Sequence, residues 1–126
     1  RLIEIPGVKY VTSRSILCEL PELGRLNRKE IAALGGLSPY NRDSGKMSKH
    51  RFIRSGRSQV RRSLYLSALS ASHHAPGFKE HYNRLVSTGK QKKVAVIAVA
   101  RKLLTVMNAM VRDGTHWDPK LVRSRI

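Results

Sequence analysis

The chain has 126 residues, and its 25 Lys and Arg against 8 Asp and Glu give a formal net charge of +17. This length predicts one domain with one core, and the 40% hydrophobic content argues against wholesale disorder. The positive charge predicts a polyanionic partner, either nucleic acid or an anionic membrane surface.

Several classes of protein are excluded by the same inspection. No apolar run of about 18 residues is evident, so we predict no membrane-spanning helix. A single cysteine, Cys18, excludes an intramolecular disulfide framework and favours a reducing compartment. The chain begins at Arg1 without the layout of a signal peptide, and we expect it to be part of a longer protein.

The first predicted elements are a short apolar segment over 3–8, which contains Pro6-Gly7, and a helix over 12–20. Thr12 or Ser13 is the expected N-cap of this helix because a hydroxyl oxygen can accept from a free helical N–H.

A capping box, Asn27 with Glu30, opens the second predicted helix, which ends at Gly35-Gly36. Residues 36–57 carry glycines, a proline and many cations with few apolar side chains. We predict a long basic loop there, and loops of this length in small domains are usually functional or disordered.

Helical periodicity resumes at about Ser58 and lasts to about His74. Pro76 suits the first position of the next helix, which ends near Thr88-Gly89. The longest periodic stretch, 90–112, is apolar on more than one face and predicts a helix in the middle of a bundle. Strand signals are weak, so the fold is predicted to be all-α.

The turn Pro6-Gly7 before the first helix resembles the hairpin of a helix-hairpin-helix element. In such an element the free amides at a helix N-terminus hold a nucleic-acid phosphate. Gly7 and Lys9 are therefore candidate phosphate-binding residues. The alternative is an ordinary turn that begins a helix.

Cations are dense in and just after the basic loop, where Asp43 is the one acid between residues 41 and 62. A guanidinium can bind phosphate through two hydrogen bonds, so we predict phosphate binding rather than a merely solvated loop. The candidates are Arg42, Lys46, Lys49, Arg51, Arg54, Arg57, Arg61 and Arg62.

Ser44 lies beside Gly45 among these cations and could attack phosphorus while the cations stabilise charge on the phosphoryl oxygens. From the residues alone a simple turn is the commoner explanation of Ser-Gly, and Ser48 or Ser55 is equally polar. The histidines and the scattered acids show no metal-ligand spacing, so no metal site is predicted in this chain.

Several runs of residues together resemble one family, in its order and spacing, over nearly the whole chain. They are Ile5–Val8 (IPGV), Leu17–Gly24 (LCELPELG), Ile31–Pro39 (IAALGGLSP), Asp43–Gly45 (DSG), Arg61–Tyr65 (RRSLY), Gly89–Ala95 (GKQKKVA), Ala100–Leu104 (ARKLL) and Gly114–Pro119 (GTHWDP). The chain resembles the C-terminal domain of the "IS one-ten" group of bacterial insertion-sequence transposases, relatives of the Piv DNA invertase.

The resemblance implies a two-part recombinase. An N-terminal RuvC-like domain, absent from this chain, would supply an acidic Mg²⁺ site, and the C-terminal domain would supply a serine that attacks a DNA phosphodiester. By position that serine is Ser44. The resemblance also implies a structured guide RNA, the bridge RNA, as a partner besides DNA, a homo-oligomer, and a location at the nucleoid in the bacterial cytoplasm.

The sequence thus predicts one all-α domain over 1–126, opened by a helix-hairpin-helix-like element and carrying a basic loop over 36–57. We expect it to hold no cofactor and, alone, to bind nucleic acid without cutting or joining it. Two alternatives stay open: a non-catalytic nucleic-acid-binding module, and an oligomerisation domain that uses the apolar helix.

Overall fold

A computed structural model describes residues 1–37 and 58–124, and this part of the chain contains helices and turns but no strand. The five helices are α1 (Tyr10–Glu19), α2 (Arg28–Leu34), α3 (Ser58–His74), α4 (Pro76–Ser87) and α5 (Lys92–Asp113). Two 3-10 turns, Leu2–Glu4 and Pro119–Val122, precede and follow them. The predicted all-α fold is confirmed.

The long helix α5 forms the centre of the domain. Every residue from Leu103 to Met110 is buried, so this part of the helix is covered on all sides. Helices α2, α3 and α4 and the second 3-10 turn all pack against it. The prediction of a helix in the middle of a bundle is therefore confirmed, and most of its apolar side chains pack within the domain, whereas Val94, Ile97 and Val111 are exposed.

The sequence analysis predicts no membrane-spanning helix, but one helix does have the length and composition that such a helix needs. Helix α5 is long and apolar enough to cross a membrane, because Arg101 and Lys102 are too few to offset its other residues. In the structure 67% of its most apolar stretch is buried inside the domain. A core helix passes the same test, and burial accounts for the composition of α5 without a membrane.

The beginnings of the helices test the predicted caps. Asn27 accepts from the Glu30 amide at 2.8 Å, and the Glu30 carboxylate accepts from the Asn27 amide at 3.0 Å, so the capping box is confirmed. Pro76 begins α4 as predicted. Helix α1 begins earlier than expected, because Lys9 is its N-cap and Ser13 is already inside it, donating its amide to the Lys9 carbonyl.

One polar side chain lies in the buried part of α5. The Asn108 side chain accepts from the Gly24 amide at 2.6 Å and donates to the Leu26 carbonyl at 2.8 Å. Both groups belong to the connection between α1 and α2. Gly24 has a φ of +89°, and a Cβ there would lie 2.6 Å from the Val111 side chain, so this connection runs directly over α5.

The segment after α5 folds back to the beginning of the chain. The Trp117 ring stacks on Phe78 with centroids 5.8 Å apart. The Glu4 carboxylate accepts from the Trp117 amide at 3.0 Å and contacts the His116 ring at 2.9 Å. The Trp117 amide, and then His116, hold the pKa of Glu4 below its usual value. The sequence GTHWDP thus joins the two ends of the domain.

We expect Asn108→Ala to lower the free energy of unfolding by about 2–3 kcal/mol, because it leaves the Gly24 amide and the Leu26 carbonyl without their partner. Asn83→Ala, an exposed change on α4, should alter it by less than about 0.5 kcal/mol. Urea unfolding of both variants tests this, and equal losses would contradict the role of Asn108.

Alanine variants at two glycines with positive φ distinguish the cost of backbone strain from the cost of steric overlap with neighbouring atoms. Gly24→Ala should destabilise by both effects, whereas Gly89→Ala, with a φ of +97° and no atom within 4 Å of its Cβ, should cost strain alone, about 1 kcal/mol. We expect Gly24→Ala to cost at least about 1 kcal/mol more than Gly89→Ala in thermal or urea unfolding. A smaller loss for Gly24→Ala would show that the connection moves freely away from α5.

Candidate nucleic-acid interface

A groove of about 870 Å³ is formed by the beginning of α3, the beginning of α5 and the residues that follow α2. Its lining combines three cations with aromatic and aliphatic side chains, among them Arg61, Arg62, Lys93, Leu37, Tyr65, Leu66 and Ile97. The part of the predicted basic loop that lies outside the described residues, 38–57, is called the basic segment here. Leu37 directly precedes it, Gln59 follows two residues after its end, and both line this groove.

The local structure of α3 explains how its arginines reach the groove. Val60 and Leu64 are fully buried and fix the first turns of α3 against the core. Arg61 and Arg62 are then exposed beside them. The aliphatic part of Arg61 lies across Gly36, where a Cβ would come within 3.2 Å of the Arg61 Cδ. The turn after α2 therefore positions this arginine.

The charge of the groove is uncompensated within the described chain: none of its lining residues in 1–37 and 58–124 is an acid. Lys93, in the first turn of α5, adds a third cation from a different helix. Cations beside an apolar surface suit a sugar-phosphate backbone, because phosphate oxygens accept from the cations while the sugars contact the apolar residues.

The structure separates the predicted phosphate-binding residues into groups. Arg61 and Arg62 share the groove. Gly7 and Lys9 do not line it. Seven further predicted residues lie outside the part of the chain that the structure describes: Ser44, Arg42, Lys46, Lys49, Arg51, Arg54 and Arg57.

Gly7 has a packing role in addition to any contact with phosphate. Its φ is +93°, and a Cβ would lie 3.0 Å from the Ser67 carbonyl and 3.2 Å from the Ala71 amide. The turn thus packs tightly on α3, and Lys9 follows as the exposed N-cap of α1. The segment before this turn is the 3-10 turn Leu2–Glu4, and a helix-hairpin-helix element stays a prediction.

Sequence reasoning did not select Lys93 and Tyr65 for this site. Both stand in runs that carry the family resemblance, and Lys93 belongs to a cluster of lysines around the beginning of α5. That cluster is a signal that could have identified the lysine. Tyr65 lies four residues after Arg61 on the same helix, so helical spacing places the two on one face. Lys93 could not be joined to Arg61 from the sequence, because their proximity depends on how α3 packs against α5.

The sequence predicts no metal site in this chain, and the family resemblance implies Mg²⁺ in a separate domain. Among residues 1–37 and 58–124, no three His, Cys, Asp or Glu side chains come together in a way that could hold a metal ion. The described groove therefore offers cations to a phosphate and gives no support for metal coordination by its own residues.

Comparison with known proteins places this architecture in a family. The model of the Transposase IS116/IS110/IS902 family matches residues 1–83. The chain belongs to this transposase family. The resemblance of its motifs to the IS one-ten group is confirmed, and the match includes the turn at Gly7 and both arginines of the groove.

Individual relatives carry the same assignment. The chain is 28% identical over 122 residues to the insertion element IS110 uncharacterized 43.6 kDa protein of Streptomyces coelicolor, covering 95% of this chain and 30% of that protein. It is 31% identical over 126 residues to the pilin gene-inverting protein of Moraxella bovis, covering 95% and 38%. With the insertion element IS900 uncharacterized 42 kDa protein of Mycobacterium paratuberculosis it shares 38% identity over 92 residues, covering 71% and 23%.

The chain thus spans about a third of the length of the first two relatives. No solved structure matches it significantly.

We expect the double variant Arg62→Gln and Lys93→Gln to weaken binding of a short fluorescent DNA duplex. Each lost phosphate contact should lower the slope of log affinity against log salt by about one. Lys79→Gln, exposed on α4 away from the groove, removes one charge as a control and should change the slope much less. Anisotropy titrations at several salt concentrations test this, and equal slopes in all variants would contradict binding in the groove.

Proposed function

We propose that this chain is the DNA-binding and strand-exchange domain of a bacterial insertion-sequence transposase, acting on DNA in the cytoplasm at the nucleoid. Family membership supports the class of protein. The single observation that supports DNA contact by this domain is the cationic groove at Arg61, Arg62 and Lys93, which holds residues from both sides of the basic segment.

In the proposed reaction Ser44 is the nucleophile. Its hydroxyl gives its proton to a base and Oγ attacks the phosphorus of a DNA phosphodiester; the bond from phosphorus to one deoxyribose oxygen breaks, and that oxygen takes up a proton from an acid. A phosphoserine linkage then holds the strand until a deoxyribose hydroxyl of another strand attacks the same phosphorus and releases the serine. Cations stabilise the charge that develops on the phosphoryl oxygens.

The remaining predicted cations extend this role. We propose that Arg42, Lys46, Lys49, Arg51, Arg54 and Arg57 contact phosphates on the DNA or on a guide RNA. Gly7 and Lys9 are proposed to contact phosphate at the N-terminus of α1, where the first amides of a helix attract anions.

The partners of the whole protein are proposed on the same basis. An N-terminal RuvC-like domain would hold Mg²⁺ through its own acids, and a bridge RNA and further copies of the protein would complete the assembly. This domain is proposed to hold no cofactor and, when isolated, to bind nucleic acid without cutting it.

The second candidate function is a non-catalytic binding module. One observation favours this function: three cations in the groove can neutralise a bound phosphate without any covalent step. In that case Ser44 is dispensable, and chemistry takes place in another part of the transposase.

Trapping a covalent adduct in the full-length protein, with its RNA, Mg²⁺ and labelled element-end DNA, tests the serine. We expect a protein–DNA adduct that survives denaturant with wild type and none with Ser44→Ala, whose DNA affinity stays nearly unchanged. Ser48→Ala, a neighbouring serine in the same segment, is the matched control and should form the adduct. Normal recombination by Ser44→Ala would establish the binding-module alternative instead.

A further inference from the structure

A second cationic pocket, of about 500 Å³, lies between α4, α5 and the second 3-10 turn. Four charged or titratable side chains of α4 and α5 line it: Glu80, His81, Arg84 and Lys102. Gly77 packs against Val122 in its wall, where a Cβ would lie 3.0 Å from the Val122 side chain, and Arg123 contributes from the end of the described chain. None of these residues lines the groove at Arg61 and Arg62.

The charges in this pocket leave an excess of cations. Glu80, the one acid that lines it among the described residues, accepts from Arg123 at 2.7 Å. Arg84 and Lys102 have no carboxylate within ion-pair distance in residues 1–37 and 58–124, and Lys102 donates instead to the Ser124 carbonyl at 2.6 Å. One acid is thus paired, and two further cations remain for an anion.

The contact with Arg84 determines which ring nitrogen of neutral His81 carries the proton. The guanidinium donates to His81 Nδ1 at 2.8 Å, and because arginine has no acceptor, Nδ1 must accept. The neutral ring therefore carries its proton on Nε2, which is a donor for a ligand. Burial, and then Arg84, Lys102 and Arg101, lower the pKa of His81.

Like Arg84, Lys102 has no carboxylate partner among the described residues. Burial first, and then the charge of Arg28 on α2, lower its pKa. Grouping cations in a partly buried pocket costs free energy in the unbound protein, and an anion that binds there offsets this cost.

We propose that this pocket binds a phosphate group of a nucleic-acid backbone, at a position separate from the groove. The inference rests on the proposed nucleic-acid binding of the domain. Arg84, Lys102 and the Nε2 proton of His81 are the donors. A phosphodiester fits because it carries one negative charge and two free oxygens, which several donors can share.

The two sites lie on opposite faces of α5. Lys93 and Lys102 are nine residues apart, which corresponds to two and a half helical turns and a rise of about 13.5 Å. We therefore expect the groove and the pocket to contact different phosphates of the bound nucleic acid.

The first test uses inorganic phosphate and the 126-residue chain. We expect phosphate to raise the pKa of His81, measured by NMR titration of its ring proton, relative to chloride at equal ionic strength. Glu80, Arg84, Lys102, Arg101 and Arg123 are the charged groups around it, and their balance stays the same in the two salts. An identical His81 titration in phosphate and in chloride contradicts the pocket.

The second test measures binding of a fluorescent DNA duplex and of an RNA hairpin at several salt concentrations. Arg84→Gln and Lys102→Gln should each lower the salt slope by about one for the nucleic acid that uses the pocket, and the affected probe identifies it as DNA or RNA. Lys79→Gln, on the same helix α4 but outside the pocket, is the control. Because Lys102 is partly buried, the exposed Arg84 variant separates binding from folding.

The outcomes distinguish this inference from the proposed function. If Arg84→Gln and Lys102→Gln leave both salt slopes unchanged while Arg62→Gln lowers one, phosphate binding in the pocket is contradicted and nucleic-acid binding in the groove is supported. If no variant in either site changes binding, both proposals are wrong.

Discussion

The domain depends on the complete burial of one helix. Eight consecutive residues of α5, Leu103 to Met110, are buried, and a helix needs neighbours on every side to achieve this. Helices α2, α3 and α4 supply three of them, and the connection at Gly24 to Leu26 supplies another, held by Asn108. The cationic sites lie where this cover is incomplete, with Lys93 in the first turn of α5 and Lys102 half-buried at the pocket.

The few acids of the chain explain why its cations stay available. The described residues contain seven of the eight acids, and six of these seven have partners: Glu4, Glu22, Glu30, Glu80, Asp113 and Asp118. Five of the six cap a helix or a 3-10 turn, join the ends of the domain or pair with a single arginine. Little negative charge is left to oppose a net charge of +17, which repels itself until a polyanion binds. The charge imbalance and the structural use of the acids thus both favour a polyanionic partner.

The features that the sequence predicted correctly depend on contacts between residues close together in the chain. The capping box at Asn27 and Glu30 and the first position of Pro76 were predictable because their contacts lie within one helical turn. The start of α1 was not, since tight packing of Gly7 on α3 orients the chain before Thr12 is reached. Both cationic sites join residues from different helices, so the density of cations could select Arg61 but could not bring it into one groove with Lys93.

The described lining of the groove lacks one group that the proposed serine reaction needs. A serine that attacks phosphorus needs a group to accept its proton, and carboxylates and imidazoles are the usual acceptors. The groove lining contains neither in the described part of the chain, and its cations serve the phosphoryl oxygens alone. For Ser44 to react, the acceptor has to come from the basic segment itself, the nucleic acid, another domain or another copy. In the proposed reaction the groove would thus position the strand, and the proton acceptor for Ser44 would lie outside the described lining.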